Sequence, residues 1–172
     1  MELPSSIITR IRDTVVAGLD DLLHGAFDAI DDSLFELANS ARSNNEQNRY
    51  FEAMREIRIK RKAIEKQFQS SISLLFDHPP QISPSRLARP VETKPEPLAL
   101  VRDDEFEEQI AVNSMVTKSR AYFEGPLIQL QARFSHIYPE ASNARPVNPM
   151  APEHLCGAFV EVSQTLEIQI RE

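Results

Sequence analysis

The residues of this chain that could do chemistry are four histidines, one cysteine, an acidic run and a basic stripe. His24, His78, His136 and His154 lie far apart, and their spacing builds no metal-ligand set. His154 and Cys156 are two positions apart on an expected helix, so their side chains diverge. A Cys–His nucleophile pair needs hydrogen-bond contact, which that spacing does not supply, and a small buried thiol is the reading left. The run Asp103, Asp104, Glu105, Glu107 and Glu108 has the charge to hold a hard cation. Neighbouring helix residues point in different directions, however, and no glycine shapes a loop there, so an acidic helix start is the simpler reading. No catalytic residue, cofactor-binding residue or metal ligand is expected, and the expectation is a protein that is not an enzyme.

Arg61 falls on the line of Met54, Ile57, Ile64 and Phe68, where an apolar residue belongs. A charge on such a line is costly unless it is paired. The predicted partner is a carboxylate from the upstream helices, Asp20, Asp28, Asp31 or Asp32, the alternative being an external anion or partner. The basic face formed by Arg55, Arg58, Lys62 and Lys66 admits three readings: a solvated face, a dock for an acidic protein, and a contact to RNA or DNA. Nucleic acid comes last, because no aromatic residue interleaves with the charges to stack bases. Arg55, Arg58, Arg61, Lys62 and Lys66 are the candidate partner-binding residues.

One element must position all five. From Asn44 to about Phe76, the residues Tyr50, Met54, Ile57, Ile64, Phe68, Ile72 and Leu75 recur mostly at steps of three and four, with no Gly or Pro between. That is one stripe of a helix, roughly 45–50 Å long at about 1.5 Å per residue. So long an element needs partners along its length and reads as a scaffold or docking strut. Upstream, residues 5–24 read as a first helix, with Pro4 suited to its start and Gly25 to its end. Ser33 with Glu36, and Ser43 with Glu46, are capping-box patterns that open a short second helix and the long third one. Residues 1–77 are therefore an expected three-helix unit.

Residues 78–100 hold six of the 12 prolines and read as an extended, semi-stiff linker. Residues 101–172 read as a second helical unit. One helix follows Asp103 and Asp104, Gly125-Pro126 interrupts it, and Leu127, Leu130, Phe134 and Ile137 continue the pattern. After an irregular stretch from Pro139 to Pro152, a last helix carries Leu155, Phe159, Val162 and Leu166 and runs to the final residue. The lack of a stop signal there points to a unit cut short, the front of a longer protein.

The totals limit the function classes. With 41% hydrophobic and 26% charged residues the chain has the composition of a soluble protein. Only 4 glycines and long periodic runs argue against a sandwich, a barrel or a nucleotide-binding α/β fold. A net charge of −7 repels phosphate, so general nucleic-acid binding is unfavoured. The charge is uneven: residues 1–46 hold nine acids and three bases, whereas residues 49–66 hold seven bases and three acids. The simplest outcome is that these neighbouring faces fold together and offset each other. A lone cysteine, no signal peptide and no apolar run near the roughly 20 residues of a membrane span give a cytoplasmic expectation.

Four blocks carry a resemblance. They are Asp31-Asp32-x-Leu34-Phe35-x-Leu37-Ala38, then Tyr50-Phe51-x-Ala53-Met54-Arg55-Glu56-Ile57-Arg58-x-Lys60-Arg61, then Leu100-Val101-x-Asp103-Asp104-Glu105-Phe106-Glu107-Glu108, and Asn148-Pro149-x-x-Pro152-x-x-Leu155-Cys156-x-Ala158-Phe159. In this order they resemble the N-terminal part of a large proteobacterial family classed as a domain of unknown function, whose members are several times longer. Some relatives carry the label thymidine phosphorylase, but this chain has no Gly-rich phosphate loop. The resemblance also implies a setting in cyclic-di-GMP signalling beside a PilZ-type module, whose Arg-rich and Asp/Asn-Ser-x-x-Gly signatures are absent here.

The expected fold is all-α, a helical bundle with one long helix, a Pro-rich linker and a second helical unit. The expected function is a non-catalytic, regulatory interaction module of a larger bacterial protein, binding a partner with an acidic surface. Self-association through exposed apolar stripes is a further expectation, and no cofactor is. The alternatives are nucleic-acid binding through helix 44–76, and an accessory domain of an enzyme whose site lies outside this chain.

Overall fold

The computed structural model describes residues 4–79, 81–82, 103–138, 145–146 and 148–166, and these are almost entirely helical. The protein is all-α. The first helix, α1, spans Pro4–Ser40, and the second, α2, spans Asn44–Asp77. They are followed by α3 (Asp103–Tyr122), α4 (Glu124–Ile137) and α5 (Pro152–Ser163). One ladder of two residues per strand pairs β1 (Gln81–Ile82) with β2 (Arg145–Pro146) in antiparallel register, Gln81 opposite Pro146 and Ile82 opposite Arg145. The expected linker, apart from residues 78–79 and 81–82, lies outside the described residues.

Residues 1–77 were expected to form three helices and instead form two, because α1 is continuous over 37 residues. Gly25 does not end it, and Ser33 does not cap a new one: the Ser33 hydroxyl donates to the Ala29 carbonyl, 2.7 Å away and inside the same helix. The physical reason is the apolar stripe. Leu23, Phe27, Leu34 and Ala38 are buried at steps of four, seven and four, so the pattern runs straight through Gly25. A glycine in a helix interior costs only about 1 kcal/mol, less than burying one large side chain returns.

The other capping signal is real. The Glu46 N–H donates to Ser43 Oγ at 3.1 Å, and the Glu46 carboxylate accepts from the Arg42 N–H at 2.8 Å. Ser43 thus starts α2 where the sequence places it. Gln47 Nε2 donates to the Ala38 carbonyl and satisfies an acceptor at the end of α1. With only Ala41, Arg42 and Ser43 between them, α1 and α2 form an antiparallel hairpin.

The chain divides into two compact units, each drawing on distant stretches of sequence: Thr9–Leu74 with Ala158–Glu172, and Met1–Ile8 with Leu75–Gly157. In the first, the α1 stripe is buried along with Ala53, Met54, Ile57, Ile64, Phe68 and Ile72 of α2. The end of α5 adds Ala158 and Val162 to that core, and the Phe159 ring sits edge-on to Phe68 with centroids 5.8 Å apart. Lys60 Nζ donates to the Thr165 carbonyl at 2.6 Å.

The second unit is centred on aromatic rings. Phe76 and Phe134 meet at 6.0 Å, and Tyr138 stacks on Phe134 at 5.8 Å. The Tyr138 hydroxyl donates to the Phe76 carbonyl at 2.9 Å. Burial, and then the charge of Asp77, push the Tyr138 phenol up to about 12. The expected interruption at Gly125-Pro126 appears as a one-residue break at Phe123, after which Pro126 occupies the first turn of α4, where its missing N–H costs nothing. Arg120 pairs with Glu153 from the first turn of α5. That last helix stops at Ser163 instead of running on. The Ser163 and Thr165 hydroxyls turn back onto the carbonyls of Val160 and Val162, competing with helical pairing. The last six residues lie outside the described ones.

Candidate functional site

Arg61 is where an apolar residue belongs, and the fold fills its donors from three directions. Its Nε donates to Glu65 Oε1 at 2.9 Å, one Nη to Asp28 Oδ1 at 2.6 Å, and the other Nη to the His24 carbonyl at 3.0 Å. The guanidinium also lies over the Phe27 ring, 5.6 Å from its centroid. Glu65, then Asp28, raise the Arg61 pKa by hydrogen bonding to its charged form. Asp28 is one of the four carboxylates the sequence offers. Glu65 is not among those four, although its position four residues on from Arg61 in a helix is a legible signal. Glu65 is buried, with a side chain only 10% exposed, so Arg61 is what allows that charge inside.

Arg58 is occupied in the same way. It forms a two-pronged pair with Asp31, at 2.7 and 2.5 Å. That hydrogen bonding holds the Asp31 carboxyl below its ordinary range, against the opposing effect of burial. Asp20 accepts instead from Gln69 Nε2 at 2.8 Å. Lys60 pairs with Glu56 one turn back.

Of the five candidate residues, then, Arg58 and Arg61 are engaged inside the chain. Arg55, Lys62 and Lys66 are exposed, and among the described residues none of the three has a carboxylate partner. They are spaced by seven and four, so they form one stripe along α2. Arg55 lines a shallow groove of about 320 Å³ together with Phe51, Met54, Arg58 and Ile59. Phe51 is 40% exposed and Ile59 66%. Both lie off the buried stripe, which is the sequence signal that could have marked them. Phe51 is also an aromatic ring among the cations, which the sequence pattern did not bring out.

The remaining candidates stay apart. His24, His78 and His136 are exposed, and the His24 Nδ1 is 3.4 Å from Glu65. Cys156 is half-buried, its thiol pushed up by burial and by Glu153. Glu107 and Glu108 are exposed, whereas the side chains of Asp103, Asp104 and Glu105 lie outside the described residues. Among the described residues no three His, Cys, Asp or Glu side chains converge on a point that would hold a metal, and no helix is long and apolar enough to cross a membrane.

No curated protein and no solved structure matches the chain. Residues 4–172 match a family described as the N-terminal domain of a protein of unknown function, DUF1631. The four blocks of the resemblance fall inside that match, and the chain belongs to this family.

Proposed function

We propose that this chain is a non-catalytic interaction module that docks an acidic protein surface on the cationic rim of α2. The observation that carries this reading is the split among the cations of one helix. Arg58 and Arg61 are neutralised by Asp31, Asp28 and Glu65, while Arg55, Lys62 and Lys66 line up unpaired, with Arg55 on an apolar groove. A row of exposed cations next to exposed apolar side chains combines steering with a desolvated contact, which is how interaction surfaces gain both rate and residence time. A regulatory role in a larger cytoplasmic bacterial protein, and the cyclic-di-GMP setting that the resemblance implies, would act through whatever docks there. An open helix face of this kind offers no enclosed pocket for the nucleotide.

Phe51 favours a second reading, since a ring in the same groove as Arg55 and Arg58 offers a stacking surface for a nucleic-acid base. The two readings separate in one experiment. Poly-L-glutamate and single-stranded DNA are titrated onto the full chain over a range of salt concentrations. Docking of acidic protein is expected to show as poly-L-glutamate binding that Arg55→Glu with Lys62→Glu weakens about tenfold, with circular dichroism unchanged. DNA binding with a steep salt dependence, in the absence of poly-L-glutamate binding, would replace this reading with the nucleic-acid one.

A further inference from the structure

The hairpin face carrying this rim is complementary to itself. Ion pairs and hydrogen bonds fix how α1 and α2 run past each other: Asp31 meets Arg58, Asp28 meets Arg61 and Asp20 meets Gln69. Each step down α1 is matched by an equal step up α2. Phe35, four residues beyond Asp31, therefore lies level with Met54, one turn from Phe51 and beside Arg55.

The same pairs define the face. On α1, Asp28, Asp31 and Phe35 are spaced by three and four and share an edge, with Asp32 adjoining it. On α2, Phe51, Arg55, Arg58 and Lys62 are spaced by four, three and four and share the edge beside it. One side of the hairpin thus presents an acidic helix with an exposed aromatic ring next to a basic helix with another. Phe35 is 50% exposed there, and Phe51 and Ile59 also remain open. The end of α5 packs elsewhere on α2, through Phe68 and Lys60, whose positions lie away from the Phe51–Lys62 edge.

Resting on the acidic-partner reading, we infer that the partner is a second copy of this chain, with α1 of each copy laid against α2 of the other. A two-fold axis parallel to the helices keeps every residue at its own level. It sets the Asp32 level against Arg55, and Phe35 within one turn of Phe51. The result is an antiparallel four-helix arrangement in which acidic and basic helices alternate and the exposed rings are covered. Like-charged helices would face each other only if the face were rotated end for end, so the charges also select the orientation.

The test is sedimentation of the full chain over a wide concentration range. A mass rising from 19.5 kDa towards twice that value is expected, with a weaker association at high salt. Asp32→Lys alone and Arg55→Glu alone are each expected to weaken association about tenfold. Mixing these two variants is expected to restore it, because the mixed dimer has opposite charges at both symmetry-related contacts. Phe51→Ser weakens it without a charge change, and circular dichroism verifies that each variant is folded. A native chain at single-chain mass throughout, or a mixture no tighter than either variant alone, overturns the inference. If the chain stays single yet binds poly-L-glutamate through Arg55 and Lys62, the acidic-partner reading stands and only the second copy is wrong. If neither occurs, both fall.

Discussion

A guanidinium has five N–H donors and cannot shed its charge, so on a buried stripe it is tolerated only where those donors are filled. Arg61 meets that condition through Glu65, Asp28 and the His24 carbonyl. Removing it leaves the Glu65 carboxylate buried without its main partner. Arg61→Ala is therefore expected to cost about 2–3 kcal/mol in urea denaturation. Arg61→Lys should recover only part of that, since an ammonium cannot reach three separated acceptors. The exposed Arg58–Asp31 pair should matter far less, and a result in which Arg58→Ala cost as much as Arg61→Ala would undo this ranking. Tyr138 makes the second residue-scale prediction. Its phenol is raised from 10.0 to about 12, so it stabilises the fold fully below the unfolded value, and that stability is lost as pH climbs from there towards 12. Tyr138→Phe should cost about 1–2 kcal/mol at neutral pH by losing the bond to the Phe76 carbonyl. The same variant should flatten the alkaline loss measured by denaturation midpoints across pH.

At the scale of elements, α1 and α2 show how far pattern outweighs punctuation. The stripe from Met54 to Ile72, the helix start at Ser43 and the break before Gly125-Pro126 were all readable, because each depends on residues within a turn or two of one another. Gly25 and Ser33 misled for the opposite reason. A glycine marks a helix end only when the apolar pattern ends with it, and here Phe27 and Leu34 carry the pattern across. The test is Gly25→Ala. A Cβ at that position meets nothing within 4 Å, and the helix continues on both sides, so the variant should be about 0.5–1 kcal/mol more stable. A loss of stability by thermal or chemical denaturation would mean that the glycine ends a helix after all. Gly18 lies in the same helix with the same free space and should respond in the same direction.

At the scale of the whole molecule, late sequence completes early structure. Phe159 closes on Phe68, and the Thr165 carbonyl takes the Lys60 ammonium across 105 positions of chain. Phe159→Ala should thus destabilise the unit built from the first hairpin by about 2–4 kcal/mol, seen as a lower denaturation midpoint for the helical signal. If that midpoint does not move, the end of α5 is not part of the hairpin's core. The all-α class, the long helix, the candidate cations and the need for a charge partner at Arg61 could all be determined from the sequence by itself. Helix periodicity and the cost of an unpaired charge are local rules, and they act at spacings of three to seven residues. Which Asp answers Arg61, which cations stay unpaired, and which apolar side chains remain in the open were decided only by the tertiary structure. Those outcomes depend on groups brought together from 27 to 105 positions apart, and no local spacing specifies which of several equivalent partners the folded chain sets within reach.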